Sequence, residues 1–214
     1  MKVSIIISTY NAEKYISRAI RSCVEQSMTK DDYEVIVVDD GSTDNTRYIL
    51  ESFGDWIRVI SLEENKGLPY ASNVGIKNAL SRFVVRVDAD DFIHEDLLTT
   101  EYLYLSMNND IDAVSCDYYM VDAKEKVLER ISATKSPIAC GIMFRKDYLI
   151  SIGLYDEKFL LMEDKELRIR FLKKYSIYNI PLPLYRYRMH DNNSTKNTDE
   201  VSKYNKLLKS KHGL

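Results

Sequence analysis

The sequence predicts an α/β fold, an open, doubly wound and mostly parallel central sheet with a less regular C-terminal half. Two patterns predict it. Short all-apolar runs, the kind that parallel strands buried on both faces require, alternate with stretches of helical spacing through the first two-thirds of the chain. Polar clusters follow three of these runs, at the carboxyl ends where open α/β sheets bind ligands. Right-handed crossovers then put helices on both faces.

The elements follow in order. Val3 to Ser8 reads as the first strand. Ile16, Ala19, Ile20, Cys23 and Val24 fall on one helical face, with Asn11 as the expected N-cap. Val35 to Val38 is a second strand, ending at Asp39-Asp40-Gly41-Ser42. A short helix fits Thr46 to Phe53, and a third strand fits Ile57 to Leu62. Gly67 and Pro69 open a helix carrying Ala71, Val74, Asn78 and Ala79. Phe83 to Val87 is a fourth strand, ending at Asp88-Ala89-Asp90-Asp91. Beyond it come a helix over Leu97 to Leu105 and short strands over Ala113 to Cys116, Tyr118 to Val121 and Val127 to Ile131. An apolar stretch over Ile138 to Phe144 and a helix over Glu163 to Lys174 follow. Pro181 and Pro183 are expected to break the chain. From Thr198 on, Val201, Tyr204 and Leu208 share one helical face, surrounded by Lys203, Lys206, Lys209 and Lys211. A final helix packed on the core is expected there, with a basic membrane-touching helix as the alternative. No Gly/Ser-rich linker or repeat divides the chain, so one domain over residues 1–214 is expected.

Composition narrows the function. A net charge of -3 over 214 residues gives no general nucleic-acid surface. Cys23, Cys116 and Cys140 are odd in number and widely spaced, which excludes a disulfide scaffold or a Cys-x-x-Cys zinc site and fits a reducing cytoplasm. The N-terminal run is too short and too quickly polar for a signal peptide, and no apolar run approaches the roughly 20 residues that span a bilayer.

The three polar clusters, Ser8-Thr9-Tyr10-Asn11, Asp39-Asp40-Gly41-Ser42 and Asp88-Ala89-Asp90-Asp91, converge on one crevice. The first lacks Gly-x-Gly-x-x-Gly, and no Gly-x-x-x-x-Gly-Lys occurs, so dinucleotide and P-loop sites are excluded. Asp88 and Asp90, at i and i+2 leaving a strand, point the same way and suit a hard divalent cation such as Mg2+ or Mn2+. A solvated acidic turn is the plainer reading of Asp-x-Asp, but three acids behind a buried strand are costly unless paired or metal-bound. Asp39 offers an acceptor to a base N–H, or caps the next turn with Ser42 and Asp44; Asp40 fits either role. Glu163 and Asp164 read, by themselves, as the acidic first turn of a helix.

These clusters, with Thr43-Asp44, Asn65-Lys66-Gly67 followed by Asn73, and Gly153-Leu154-Tyr155-Asp156-Glu157 leading to Glu163-Asp164, resemble the family-2 glycosyltransferases of the GT-A fold. The resemblance runs from Val3 to about His190, in the family's order and spacing. It implies inverting transfer of a sugar from a nucleotide diphosphate-sugar, a UDP-sugar foremost, to an acceptor hydroxyl. The acceptor would be a sugar, glycolipid or glycan, in surface polysaccharide, lipopolysaccharide or glycolipid assembly. It further implies a donor half over 1–91, an acceptor and catalytic half over 92–190 and a tail helix over 191–214. Ser8, Thr9 and Tyr10 would line the nucleoside pocket, Asp39 would contact the base, and Asp88 would sit near ribose or diphosphate. Asp90 would be the principal ligand of Mn2+ or Mg2+, with His190 a second, and Asp164 the catalytic base supported by Glu163. Asn73 belongs to the donor motif, but Ser72 stands where members often carry Arg, so Lys66 or Arg86 is expected on the diphosphate; Arg186 and Arg188 are further candidates. The short chain suits a single-addition enzyme, cytoplasmic, with peripheral membrane contact through the basic tail as an option. A sugar-nucleotidyltransferase would need a Gly-rich, Arg-containing first loop, which is absent; a non-catalytic nucleotide-sugar-binding module is the other alternative.

Overall fold

The structure, a computed structural model, describes residues 1–190 and 198–213. Its strands are β1 (Val3–Thr9), β2 (Tyr33–Asp39), β3 (Arg58–Ser61), β4 (Phe83–Asp88), β5 (Phe92–Ile93), β6 (Ala113–Val121), β7 (Val127–Ile131), β8 (Ile142–Arg145) and β9 (Ile177–Arg188). Its helices are α1 (Ile16–Val24), α2 (Thr46–Glu51), α3 (Leu68–Asn78), α4 (Leu97–Met107), α5 (Lys146–Ser151), α6 (Glu163–Leu172) and α7 (Thr198–His212). One sheet runs in the order β3-β2-β1-β4-β8-β6-β9-β5, with β7 paired to β6. The β1–β2, β1–β4, β2–β3 and β6–β9 pairs are parallel, and β8, β5 and β7 enter antiparallel.

Alternation along the strands explains the two-sided cover. Ile5, Ile7, Val35, Val37, Val85 and Val87 face a cluster with Ile16 and Ile20 of α1, Leu50 of α2 and Leu97, Leu98 and Leu105 of α4. The residues between them, Ile6, Ile36, Val38 and Val84, face Ala71 and Ile76 of α3, Leu149 of α5 and Leu167 and Phe171 of α6. A strand buried on both faces cannot alternate polar and apolar residues, which is why these runs are continuous in sequence. Gly41, at φ 73, lets the chain turn after β2 where a Cβ would lie 2.8 Å from the Glu64 backbone.

The structure corrects three expectations and adds a helix that the sequence reading lacks. Asn11 is not the cap of α1, which starts at Ile16; it sits at φ 49 and its Oδ1 accepts the N–H groups of Thr43 (2.8 Å) and Asp44 (3.3 Å), stapling the β1 and β2 loops together. Ala113 to Val121 is one strand, not two. α5 has no counterpart in the sequence reading, which places no element between Phe144 and Glu163. Pro181 and Pro183 do not end β9: its pairing with β6 skips from Ile180 opposite Cys116 to Pro183 opposite Asp117, so the prolines sit at a bulge. β5 pairs with β9 only at Tyr185 and Arg186, so no second ladder needs the missing proline N–H groups.

α7 buries Tyr204 and Leu208 against Phe159, Leu161 and Met162, the packed outcome expected of the tail. Residues 191–197 and 214 of that expected tail lie outside the described residues. Among the described residues, no helix is long and apolar enough to cross a membrane.

Candidate active site

Register assembles the predicted clusters. β1 pairs Ser8 with Asp88 on β4 and Thr9 with Asp39 on β2, so all three acidic or hydroxyl ends leave the sheet together. They open on a cleft of about 510 Å³ lined by Ser8, Tyr10, Tyr15, Asp88, Asp90 and His190, among others. A second cleft of about 350 Å³ carries Arg86, Cys140, Glu163, Asp164 and Tyr187. Asp88 and Leu68 line both, so the two are contiguous.

Four expected donor residues line neither cleft. Thr9 is buried between Ser8 and Tyr10, turned by strand alternation. Asp39 is 4% exposed, and its Oδ1 accepts the Ser42 N–H at 3.0 Å. The Lys66 ammonium pairs with Glu64, outside the cleft. Asn73 is fully used as a clamp: Oδ1 accepts the Tyr155 N–H (3.0 Å), and Nδ2 donates to Tyr155 O (2.9 Å) and Glu157 Oε1 (3.0 Å). Asp40, open to either role in sequence, accepts the N–H groups of Lys66 and Gly67, each at 2.8 Å, and so fixes the approach to α3.

The arginines also differ from expectation. The Arg188 guanidinium is committed to Glu125, to the carbonyls of Asp90 and Ala123 and to the faces of Tyr15 and Phe92. Arg186 donates to the Pro183 carbonyl over the Tyr119 ring. Arg86 is 6% exposed, lines the second cleft and reaches the acid that the two clefts share: Nη1 lies 3.1 Å from Glu163 Oε1, Nε 3.2 Å from Asp88 Oδ1, and the guanidinium carbon 5.3 Å from the Tyr155 ring centre. The Nε–Oδ1 approach is an ion pair without hydrogen-bond alignment, and Asp88 Oδ1 is buried with no hydrogen-bond partner among the described residues.

The acids after β4 separate into distinct environments. Asp91 is sealed in: Oδ1 accepts the Arg188 N–H (2.7 Å) and Oδ2 the Tyr185 hydroxyl (2.7 Å). Burial, then the charges of Asp90 and Asp88, push its carboxyl well above the usual range. Asp90 is raised by burial and by Asp88, against the His190 ring, whose Nε2 lies 2.8 Å from Oδ2. That ring stacks on Tyr15, with centres 5.0 Å apart. Burial lifts Glu163 to about 7, opposed by Arg86 and assisted by Asp164 and Asp88. Glu163 and Asp164 open α6 directly after Met162, which is left-handed at φ 64.

Could these residues hold a divalent cation? Atoms of Asp88, Asp91 and Cys140 lie within 4.8 Å of one another. Asp91 has both oxygens committed, and the Cys140 thiol is soft and pushed up by burial, so this trio suits no hard cation. Asp88 and Asp90 line the open cleft with His190 beside Asp90, although Asp88 Oδ1 is turned to the Arg86 guanidinium; carboxylate oxygens with one imidazole are the donor types that Mg2+ or Mn2+ takes.

Sequence reasoning missed the bridging role of Arg86, although a lone cation inside Val84-Val85-Arg86-Val87 was a signal that it had buried partners. Nothing in sequence marked Cys140 or Tyr15.

With the geometry in hand, comparison with known proteins is specific. The sequence model of glycosyl transferase family 2 matches residues 4–167. An uncharacterized glycosyltransferase of Rickettsia typhi is 31% identical over 224 residues, covering 96% of this chain and 70% of its own. Poly(ribitol-phosphate) beta-N-acetylglucosaminyltransferase TarS of Staphylococcus aureus is 44% identical over 101 residues, 46% of this chain but 18% of that protein. The crystal structure of S. aureus TarS 1-349 in complex with UDP-GlcNAc superposes with a TM-score of 0.79 at 25% identity, over 92% of this chain and 61% of that one. A mannosyltransferase from Pyrobaculum calidifontis in complex with GDP-Man and Mn2+ shares the fold, with a TM-score of 0.75 at 21% identity over 98% of this chain and 63% of that one. The match thus spans less than two thirds of either solved chain and less than a fifth of the staphylococcal protein.

Proposed function

This chain belongs to glycosyl transferase family 2, with the GT-A fold, and we propose that it moves a sugar from a nucleotide diphosphate-sugar to an acceptor hydroxyl with inversion. The observation that carries the reading is the meeting of two clefts at Asp88, one with Asp90 and His190 and the other with Asp164. Inverting displacement needs that layout: a diphosphate held on one side of the anomeric carbon and a base on the other. A UDP-sugar is the foremost donor, supported by the UDP-GlcNAc complex of the structural relative.

In this reading the Tyr10 ring, 47% exposed at the cleft, meets the base, with Ser8 beside it; Thr9 and Asp39 support this pocket from beneath. Asp164 accepts the proton of the acceptor hydroxyl as its oxygen attacks the anomeric carbon and the bond to the diphosphate oxygen breaks. Glu163, held by Arg86, keeps the start of α6 in place for that transfer. A Mn2+ or Mg2+ ion held by Asp90, His190 and Asp88 would supply positive charge for the departing diphosphate. Lys66 and Asn73 serve this donor site indirectly, by shaping the β3–α3 loop and its partner turn. Residues 1–214 act as one unit, donor half, acceptor half and tail together. The product belongs to surface polysaccharide, lipopolysaccharide or glycolipid assembly at the cytoplasmic side. Any membrane contact is electrostatic, through Lys203, Lys206 and Lys209, because the apolar stripe of α7 is already buried.

The test is a thermal-shift series of UDP, GDP, dTDP and CDP, each with Mn2+ or EDTA, followed by nucleotide release from the matching sugar donors. A ligand that binds only the folded state raises the midpoint by mass action. A Mn2+-dependent shift for one nucleotide, with release from its sugar conjugate, is expected. Release that proceeds equally in EDTA would overturn the cation assignment.

A further inference from the structure

α7 lies after the family match and outside the residues expected to do chemistry, yet its contacts bracket the turn that carries Glu163 and Asp164. Lys211 Nζ donates to Asp156 Oδ2 (2.6 Å) on the near side of that turn and to Glu166 Oε1 (2.6 Å) on the far side. His212 Nε2 stands 3.2 Å from the same Glu166 oxygen. Glu166 is fully buried and locked by Arg170, whose guanidinium also holds the carbonyls of Ile152 and Leu154. Between these anchors, Tyr204 and Leu208 pack with Phe159, Leu161 and Met162 in a cluster separate from the two main cores.

Met162 links this cluster to the start of α6. Its φ of 64 is disfavoured for a side chain of this size, and such a conformation persists only where the surroundings over-determine it. α7 supplies part of those surroundings, through Tyr204 and Leu208. Met162 immediately precedes Glu163 and Asp164, so its backbone direction sets where their carboxylates point. Val201, from the first turns of the same helix, lines the cleft that contains Asp164.

We propose that α7 is part of the active site: Lys211 is a positioning residue that holds the Asp156–Glu166 segment so that Asp164 faces the acceptor, and Val201 is a wall of the acceptor cleft. This rests on the reading of Asp164 as the base, and the experiment separates the two. Lys211→Met, Lys211→Arg and Asp164→Asn are made in the full chain. Each is measured for UDP release from UDP-N-acetylglucosamine and UDP-glucose with Mn2+, for the UDP-induced thermal shift, and for the 13C-methyl NMR signal of Met162. Lys211→Met is expected to lower kcat about 10- to 100-fold, as misplacement of a catalytic group does, with the UDP shift and donor KM unchanged. The Met162 methyl signal moves or doubles in that variant, and Lys211→Arg restores both signal and rate. A Lys211→Met chain with wild-type rate and an unmoved Met162 signal sinks the inference, as does parallel loss of the UDP shift. An Asp164→Asn chain that releases UDP normally removes instead the reading of Asp164.

Discussion

Asp164 and Glu101 show how differently two acids can be used in one fold. Asp164 lines an open cleft at the start of α6. Removing a general base costs typically 10²- to 10⁴-fold, so with Asp164 in the proposed role of base, Asp164→Asn should lower donor turnover by about that factor while the nucleotide-induced thermal shift persists. Glu101 on α4 is fully buried, with neither oxygen hydrogen-bonded among the described residues. Burial drives its carboxyl well above the ordinary range, so it folds as the neutral acid. An acid raised on folding stabilises fully below its unfolded pKa, and that contribution is lost as pH rises towards the folded value. The slope is about 1.4 kcal/mol per pH unit between the two. Glu101→Gln should therefore flatten part of the decline of the melting temperature as pH rises above the ordinary glutamate range, where the unfolded chain ionises alone. A melting profile of Glu101→Gln that parallels wild type at every pH would show that the carboxyl is not neutral inside.

At the scale of elements, the loops matter more than the strands they join. α3 and the turn over Gly153 to Glu157 come from opposite halves of the chain, and Asn73 joins them with three hydrogen bonds. Asn73→Ala leaves the buried N–H and C=O of Tyr155 without those partners, at a cost of about 1–3 kcal/mol for each unsatisfied group. The expected readout is a lower urea midpoint with an unchanged slope. If the midpoint holds, the clamp is redundant. The same loops explain what sequence left hidden. Asn11 was legible as a polar residue at a turn, but its partners, the N–H groups of Thr43 and Asp44, come from another loop. The β9 prolines were legible as breakers, yet the bulge opposite Cys116 and Asp117 accommodates them.

Across the whole molecule, two populations of carboxyl groups pull stability in opposite directions. Burial opposes ionisation of Glu166, but hydrogen bonds from Arg170 and Lys211 win and hold it below its ordinary value. Asp117 and Glu125 are held low in the same way, by Asn179 and Arg130 for one and by Arg188 and Arg18 for the other. Stability from such lowered groups is present above their unfolded pKa and is lost as pH falls through the folded value. Asp91, Glu101 and Glu163 are raised, Glu163 to about 7, so their contribution is lost as pH rises. The melting temperature should pass through a maximum between the ordinary carboxylate range and neutrality and fall on both sides. A midpoint that climbs steadily to pH 8 would contradict the raised group.

The sequence by itself determined the sheet and its ligand-binding end. Continuous apolar runs such as Val35 to Val38 admit only strands covered on both faces, and the acids at their carboxyl ends mark the crevice. It also put Ser8, Tyr10, Asp88 and Asp90 at strand ends that meet in one cleft, whereas His190 and Asp164 were reached only through the family resemblance. What only the tertiary structure decided is how polar atoms are spent. The carboxylate of Asp40 goes to Lys66 and Gly67, the amide of Asn73 to Tyr155 and Glu157, and the guanidinium of Arg188 to Glu125. Arg86 joins Asp88 to Glu163, and α7 grips the segment around Asp164. Such pairings join residues far apart in the chain, and hydrogen bonds act only across about 3 Å, a distance that no one-dimensional period encodes.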